Sequence, residues 1–408
     1  MRLIRIVALL AIVPILLAGD WPQWLGPTRN GVSSEAVAPW KGPLKVLWKK
    51  PVGEGHSSPV VAGGKVFLHT RVGDKTEEAL SAFDATTGGL IWKSVPQERG
   101  KFADPFKFGA GPRATPAVFD GKVYTYGITG ILTCIDAETG KLVWEVDTLK
   151  KYKANNLFFG VSGSPMVRGD VVLVEVGAKG ASIVAFDRET GEEVWKSLDD
   201  PASYGSPITI GKGKDRQVVF LTGKQLVGLA PLDGRLLWDF PLVDKFSESS
   251  TTPVVAGDIL FGSSVMYGGV ALKLGKDNGK TTVKELWKDG KYNCYFSTPV
   301  PAGPHLYMVT GSLLQKKATL RCVELATGKE RWKRENVGAY HASLLRTGDG
   351  KLLLLEEEGD LCLVEPDPKE YRELARSKIC GNTWAHPALS DGRLYVRDRN
   401  ELICVQLP

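Results

Sequence analysis

The sequence predicts an all-β chain: an eight-bladed β-propeller of four-stranded antiparallel blades, the last blade closed by the N-terminal strand. Three observations predict it. A turn motif recurs with fixed Gly-to-Trp spacing, a Ser/Thr-Pro element recurs eight times counting its variants, and the C-terminal unit lacks a strand that the N-terminus can supply. The composition agrees: 46 Gly and 11 Trp in 408 residues suit turn-rich β repeats. With 43% hydrophobic and 24% charged residues the chain is not disordered, and its single apolar run excludes a multi-pass membrane protein.

The turn motif is a small residue, an apolar residue, an acid, then x-x-T-G, with Trp four residues after the Gly. It appears as Ala82-Phe83-Asp84 with Gly88 and Trp92, as Cys134-Ile135-Asp136 with Gly140 and Trp144, and as Ala185-Phe186-Asp187 with Gly191 and Trp195. A worn copy runs from Gly228 to Trp238, and a good one from Cys322-Val323-Glu324 through Gly328 to Trp332. The motif reads as a hairpin. Asp binds turn amides, Gly takes the positive φ of a tight loop, and Trp buries a broad face between units while its N–H seeks one partner.

The second element is Ser/Thr-Pro followed by a strand, at Pro59, Pro116, Pro165, Pro207, Pro253 and Pro299, with variants at Ala342-Ser343 and His386-Pro387. Gly-containing turns after it, such as Gly121-Lys122-Val123, link a first strand to a second. Each unit is therefore one four-stranded blade. The eighth unit stops after a third strand, Glu401 to Val405, while Leu44 to Lys49 resembles a fourth strand with Trp48 and nothing before it. The N-terminal strand is expected to complete the last blade, which removes a free sheet edge. Two units depart from the pattern: the fifth has a longer hairpin, Leu274 to Val283, and the seventh places Leu374 where Trp is expected.

Residues 1–19 read as a secretory signal peptide, with Arg2 and Arg5 ahead of the apolar stretch Leu9 to Leu17 and small residues Ala18-Gly19 before Asp20. Residues 20–408 are then one propeller domain, with export to the periplasm or the extracellular space and no integral membrane span. Without Arg2 and Arg5 the net charge falls from +6 to +4. The basic residues are scattered, so nucleic acid is not an expected partner.

The A-x-D-x-x-T-G-x-x-x-W pattern resembles the pyrroloquinoline-quinone-like repeat across essentially the whole mature chain. The opening Trp21-Pro22-Gln23-Trp24-Leu25-Gly26-Pro27, with Asn30-Gly31-Val32, is similar to that of a large group of exported propellers in this superfamily. Two kinds of relative bracket what the resemblance implies. One is the cofactor-free propeller lipoprotein of the outer-membrane β-barrel assembly machinery. The other is the quinoprotein dehydrogenases, which use pyrroloquinoline quinone and calcium. Fold does not decide between them.

A quinoprotein site needs oxygen ligands for Ca²⁺, a carboxylate base and aromatic faces, and the resemblance adds a disulfide of adjacent cysteines. This chain has no Cys-Cys pair, and it spends Asp84, Asp136 and Asp187 on turns. Glu54, Asp104 and Glu248 are the nearest acids to the channel mouth, with no motif behind them. Cys134, Cys322, Cys362 and Cys404 fall at the small-residue position and read as buried apolar groups, while a Cys294–Cys380 disulfide is left open.

Three residues before each first-strand Pro, or its equivalent, stand His56, Arg113, Ser162, Tyr204, Ser250, Phe296, Tyr340 and Trp384, with His341 and His386 close by. In a propeller these positions converge on the channel mouth. The candidate ligand-binding set is His56, Arg113, Tyr204, Phe296, Tyr340, His341, Trp384 and His386. It is expected to hold a small anionic or aromatic ligand, or a segment of a protein partner. The alternative to ligand binding is that these residues only plug and solvate the mouth. The favoured reading is a monomeric exported binding or scaffold propeller with no cofactor, no metal and no catalytic residue. The alternative function is a small quinoprotein alcohol or sugar dehydrogenase.

Overall fold

The structure is a computed structural model that describes residues 19–73, 77–95, 97–98, 102, 108–243, 248–311 and 316–408. The expected leader therefore lies outside the described residues except for Gly19, as does Asp104. Eight antiparallel sheets are present. Seven take their strands consecutively, and the eighth is built in the order Val46–Pro51, Glu401–Gln406, Arg393–Arg397, Ala388–Ser390. Val46 pairs with Val405 and Trp48 with Cys404, so the N-terminal strand closes the ring as expected. The first blade carries an additional short strand, Gln97–Glu98, against Glu77–Asp84.

The motif's small residue and its Trp prove to be one device. Each fourth strand skips a residue before the Trp, which sets the indole opposite the small residue of the third strand. Trp92 pairs with Ala82, Trp144 with Cys134, Trp195 with Ala185 and Trp332 with Cys322. Gly228 opposite Trp238 has the tightest need, since a Cβ there would lie 2.1 Å from the indole nitrogen. Each Trp then docks on the next blade. Trp144 Nε1 donates to the Arg188 carbonyl at 3.0 Å, and Trp92 Nε1 to that of Ala137 at 3.2 Å. In the turn beneath, Asp136 Oδ1 accepts from the amides of Glu138 and Thr139, as Asp84 and Asp187 do in theirs.

The departures follow from the same geometry. The fifth blade's hairpin, Gly268–Asp277 with Lys280–Asp289, replaces the tight turn, and Trp238 Nε1 donates instead to Gln217 of its own blade at 2.6 Å. In the seventh blade Leu374 is not the Trp equivalent. It falls at the register shift, and Arg376 stands opposite Cys362, where it holds Glu356 with two hydrogen bonds of 2.9 and 3.0 Å. A guanidinium needs carboxylate partners in that place, which Glu356 and Glu373 supply.

The Ser/Thr of the second element also has a structural task. Ser58 N donates to Thr115 Oγ1, Thr115 N to Ser164 Oγ, and Ser164 N to Ser206 Oγ, at 2.9–3.2 Å. His386 N donates to Ser58 Oγ across the closure, and Thr252 N to Thr298 Oγ1. These hydroxyls lace neighbouring first strands around the channel, beside backbone bonds such as those of the His56 and Ser57 amides to the Pro112 carbonyl.

All six cysteines are free and buried, so no Cys294–Cys380 disulfide forms. Among the described residues no helix is long and apolar enough to cross a membrane.

Candidate functional site

The N-terminal opening crosses the channel. Trp21 exchanges two backbone hydrogen bonds with Val61 of the first blade, and Val118 N of the second donates to the Pro22 carbonyl. Arg29 enters the hub, where its Nε donates to the Pro207 carbonyl at 2.7 Å and its Nη atoms to those of Pro165 and Ser164 at 3.0 and 3.1 Å. Burial lowers its pKa to about 9. Trp24 Nε1 reaches Thr252 Oγ1 of the fifth blade at 2.8 Å. Gly31 and Ser33 bond to Arg346 of the seventh, and Glu35 accepts the Asp391 and Gly392 amides of the eighth.

Above this segment opens a funnel that is continuous with solvent. Six of the eight predicted site residues line it: His56, Arg113, Tyr204, Phe296, Trp384 and His386, together with Ser162 and Ser250 of the ring. Tyr340 stands behind the wall, edge-on to Trp384 at 5.8 Å. His341 is deeper and 2% exposed, with its ring nitrogens on Ser297 Oγ and Ser343 Oγ at 3.2 and 2.9 Å.

Trp384 organises the wall. Its ring stacks with Phe296 at 5.3 Å and 20°, and with His56 at 5.3 Å and 27°, while Nε1 donates to Glu357 Oε1 at 2.8 Å. Glu357 Oε2 accepts from the Tyr340 and His341 amides, so one carboxylate positions three site residues. His56 Nε2 is 2.7 Å from the Phe108 carbonyl, which fixes the proton on that nitrogen. Burial, then the Arg113 charge, press its pKa down to about 3. Burial likewise lowers His341 to about 4.

Two groups expected to supply charge are already engaged. Arg113 donates Nε to the Phe159 carbonyl at 2.6 Å and Nη2 to that of Gly109 at 2.9 Å, strapping its own loop to the one that carries Phe159. Glu248 accepts the Tyr295 hydroxyl at 2.7 Å. Tyr204, 8% exposed, holds the Phe159 amide on its hydroxyl.

Sequence reasoning missed four aromatic residues of this site. Trp24 forms the floor, and its opening motif was readable only as a mark of relatedness. Phe108 and Phe159 fall in the stretches Val95 to Arg113 and Asp147 to Ser162, whose Lys-, Phe- and Gly-rich composition is the one available signal. Tyr295 gives none, being adjacent to a ring position.

A dehydrogenase cofactor would require Ca²⁺ with six to eight oxygen ligands. Glu248 is the one carboxylate among the described lining residues, and Glu54 at the rim binds the Ala110 amide. Among the described residues no three His, Cys, Asp or Glu side chains gather as a metal site. The described donor set does not fit the calcium-quinone pair.

A ring of eight four-stranded blades, seven of them carrying the docking Trp, around a plugged channel with an aromatic funnel defines an eight-bladed propeller of the quinoprotein-like type. The chain belongs to the family described as outer membrane protein assembly factor BamB, which it matches over residues 76–334. It is 23% identical to BamB of Shewanella oneidensis over 89% of each chain. It is 36% identical to quinohemoprotein alcohol dehydrogenase ADH-IIG of Pseudomonas putida, over 44% of this chain and 24% of that enzyme. The chain spans about a quarter of the length of the dehydrogenases it matches. Among solved structures it superposes on BamB of Moraxella catarrhalis with a TM-score of 0.60 at 15% identity, covering 90% of this chain and 98% of that one. The quinohemoprotein alcohol dehydrogenase of Comamonas testosteroni gives 0.65 at 16% identity, covering 95% and 80%.

Proposed function

We propose that the chain is an exported, non-catalytic binding propeller that uses the funnel to hold a protein segment or a small ligand. The observation that carries this reading is the funnel itself. First-strand positions from most of the ring converge on one aromatic cavity whose one described carboxylate, Glu248, is engaged by the Tyr295 hydroxyl. A carboxylate base poised beside a redox cofactor would need an acid free to accept a proton from substrate. The similarity to assembly factors along nearly the whole chain supports a partner-binding role in outer-membrane protein assembly, and with it a periplasmic location.

The test has two arms. Deleting the chain in its host should lower the level of outer-membrane β-barrel proteins. Wild type should restore it, and a well-folded Trp384→Ala variant should not. Titration with pyrroloquinoline quinone and Ca²⁺ should show no tight binding. Quinone binding coupled to dye-linked alcohol oxidation would overturn the reading in favour of the dehydrogenase alternative.

A further inference from the structure

Two polar groups lining the funnel have no partner among the described residues. Both ring nitrogens of His386 are buried and unpaired, with the residue 2% exposed, and the Ser250 hydroxyl is buried and unpaired as well. Trp24 links their positions. Its ring meets the His386 imidazole edge-on at 4.6 Å, and its Nε1 reaches Thr252, two residues beyond Ser250. The lining thus joins the Trp24 indole, His386 at its edge and Ser250 two residues from its hydrogen-bond partner with the flat wall of Trp384 and Phe296.

The unpaired groups are neutral. Burial and the neighbouring His341 hold the His386 pKa well below its usual value. The imidazole therefore offers one N–H donor and one bare nitrogen acceptor, and Ser250 offers a hydroxyl. Buried polar atoms without partners are rare enough in folded proteins to need an explanation, and a bound molecule supplies one. An anion fits this floor poorly. The funnel's guanidinium already straps two loops through backbone carbonyls, and Glu248 places a carboxylate in the same cavity. An ion stripped of water there would lack a dedicated countercharge.

We propose that the funnel binds a neutral planar aromatic molecule whose polar edge carries both a donor and an acceptor, as an aromatic amide does, with His386 and Ser250 as its recognition groups. The proposal rests on the reading of the funnel as a binding site, and it replaces the anionic ligand that Arg113 suggested. The ring lies over Trp24 against Trp384. The amide N–H donates to the bare His386 nitrogen, and its carbonyl accepts from Ser250.

Benzamide and benzoate test it, being nearly the same shape with different charge. Each is titrated into the full chain while tryptophan fluorescence and the nitrogen chemical shifts of the His386 ring are followed. Benzamide should bind with a Kd of about 1 mM, ordinary for so small a ligand. It should bind about tenfold more tightly than benzoate and should move the His386 signals. Ser250→Ala, which removes a single oxygen, and His386→Gln should each weaken benzamide about threefold or more. Benzoate binding as tightly as benzamide would overturn the neutral preference while leaving the funnel a binding site. Binding that leaves the His386 signals still and is indifferent to Ser250→Ala would overturn the recognition roles. Silence from both probes at tens of millimolar would overturn the proposal outright. The Trp384→Ala test in the host would still decide the partner-binding reading separately.

Discussion

Gly191 carries the indole of Trp144: a Cβ on that glycine would sit 2.8 Å from the Trp144 ring, inside van der Waals contact. The glycine also holds φ +74°, where any other residue is strained. The same contact repeats between Gly140 and Trp92 and between Gly328 and Trp287, so the glycine is shaped by the neighbouring blade as well as by its own turn. Gly191→Ala should therefore destabilise the chain by about 1–3 kcal/mol. Trp144→Ala, which empties the blade interface, should cost about 3–5 kcal/mol. Urea unfolding of both variants checks this, and a loss of ligand binding at unchanged stability would contradict it.

Arg29 should behave as a structural clasp. Its side chain satisfies carbonyls of the third and fourth blades from a segment that also touches the first, second, fifth, seventh and eighth. Arg29→Met keeps the stem but strands three buried carbonyls, and it should cost about 2–5 kcal/mol. Arg29→Lys should recover little, because an ammonium cannot reproduce the planar fork. Thermal unfolding of the two variants against wild type gives the comparison.

Removal of residues 20–50 should be more severe. It takes away the clasp, the funnel floor and most of the strand that pairs with Glu401–Gln406. The truncated chain should lose cooperative unfolding or expose the open edge and self-associate. Light scattering and calorimetry would report either outcome.

Acid should act in two windows. His56 and His341 have folded pKa values of about 3 and about 4, below the ordinary 6.5. Between those limits the unfolded chain binds more protons, so stability falls as pH drops from about 6.5 and is unaffected by these groups above it. The turn acids follow lower down. Asp136 is held at about 2 by Thr139 and Lys122, and Asp84 and Asp187 are also lowered, so their contribution is present above about 4 and lost as pH falls through the folded values. The urea midpoint measured against pH should show both declines, and His341→Gln should flatten the first.

The six thiols should be silent in the folded chain. All are buried, and burial raises Cys294, Cys380 and Cys404 to about 12, far from thiolate at neutral pH. A thiol reagent should label none of them in native buffer and all six in denaturant. Fewer than six in denaturant would reveal a disulfide.

The sequence alone determined the repeat and the blade count, because these depend on contacts between chain neighbours, and the closure, because a counted ring that lacks one strand leaves the N-terminal strand to supply it. Asp136 meets Thr139 three residues on, Trp144 meets Cys134 ten residues back, and such spacings survive as readable periodicity. The Pro elements also located the mouth, since equivalent positions of a ring must converge. Tertiary structure alone decided what fills the channel. Trp24 bonds to Thr252 across 228 residues and Arg29 to Pro207 across 178, and no local pattern records a contact at that separation. For the same reason the sequence could show an arginine at the mouth but not its engagement by two carbonyls. It could likewise show a histidine at position 386, but not that both its nitrogens would be left without a partner beside Trp24.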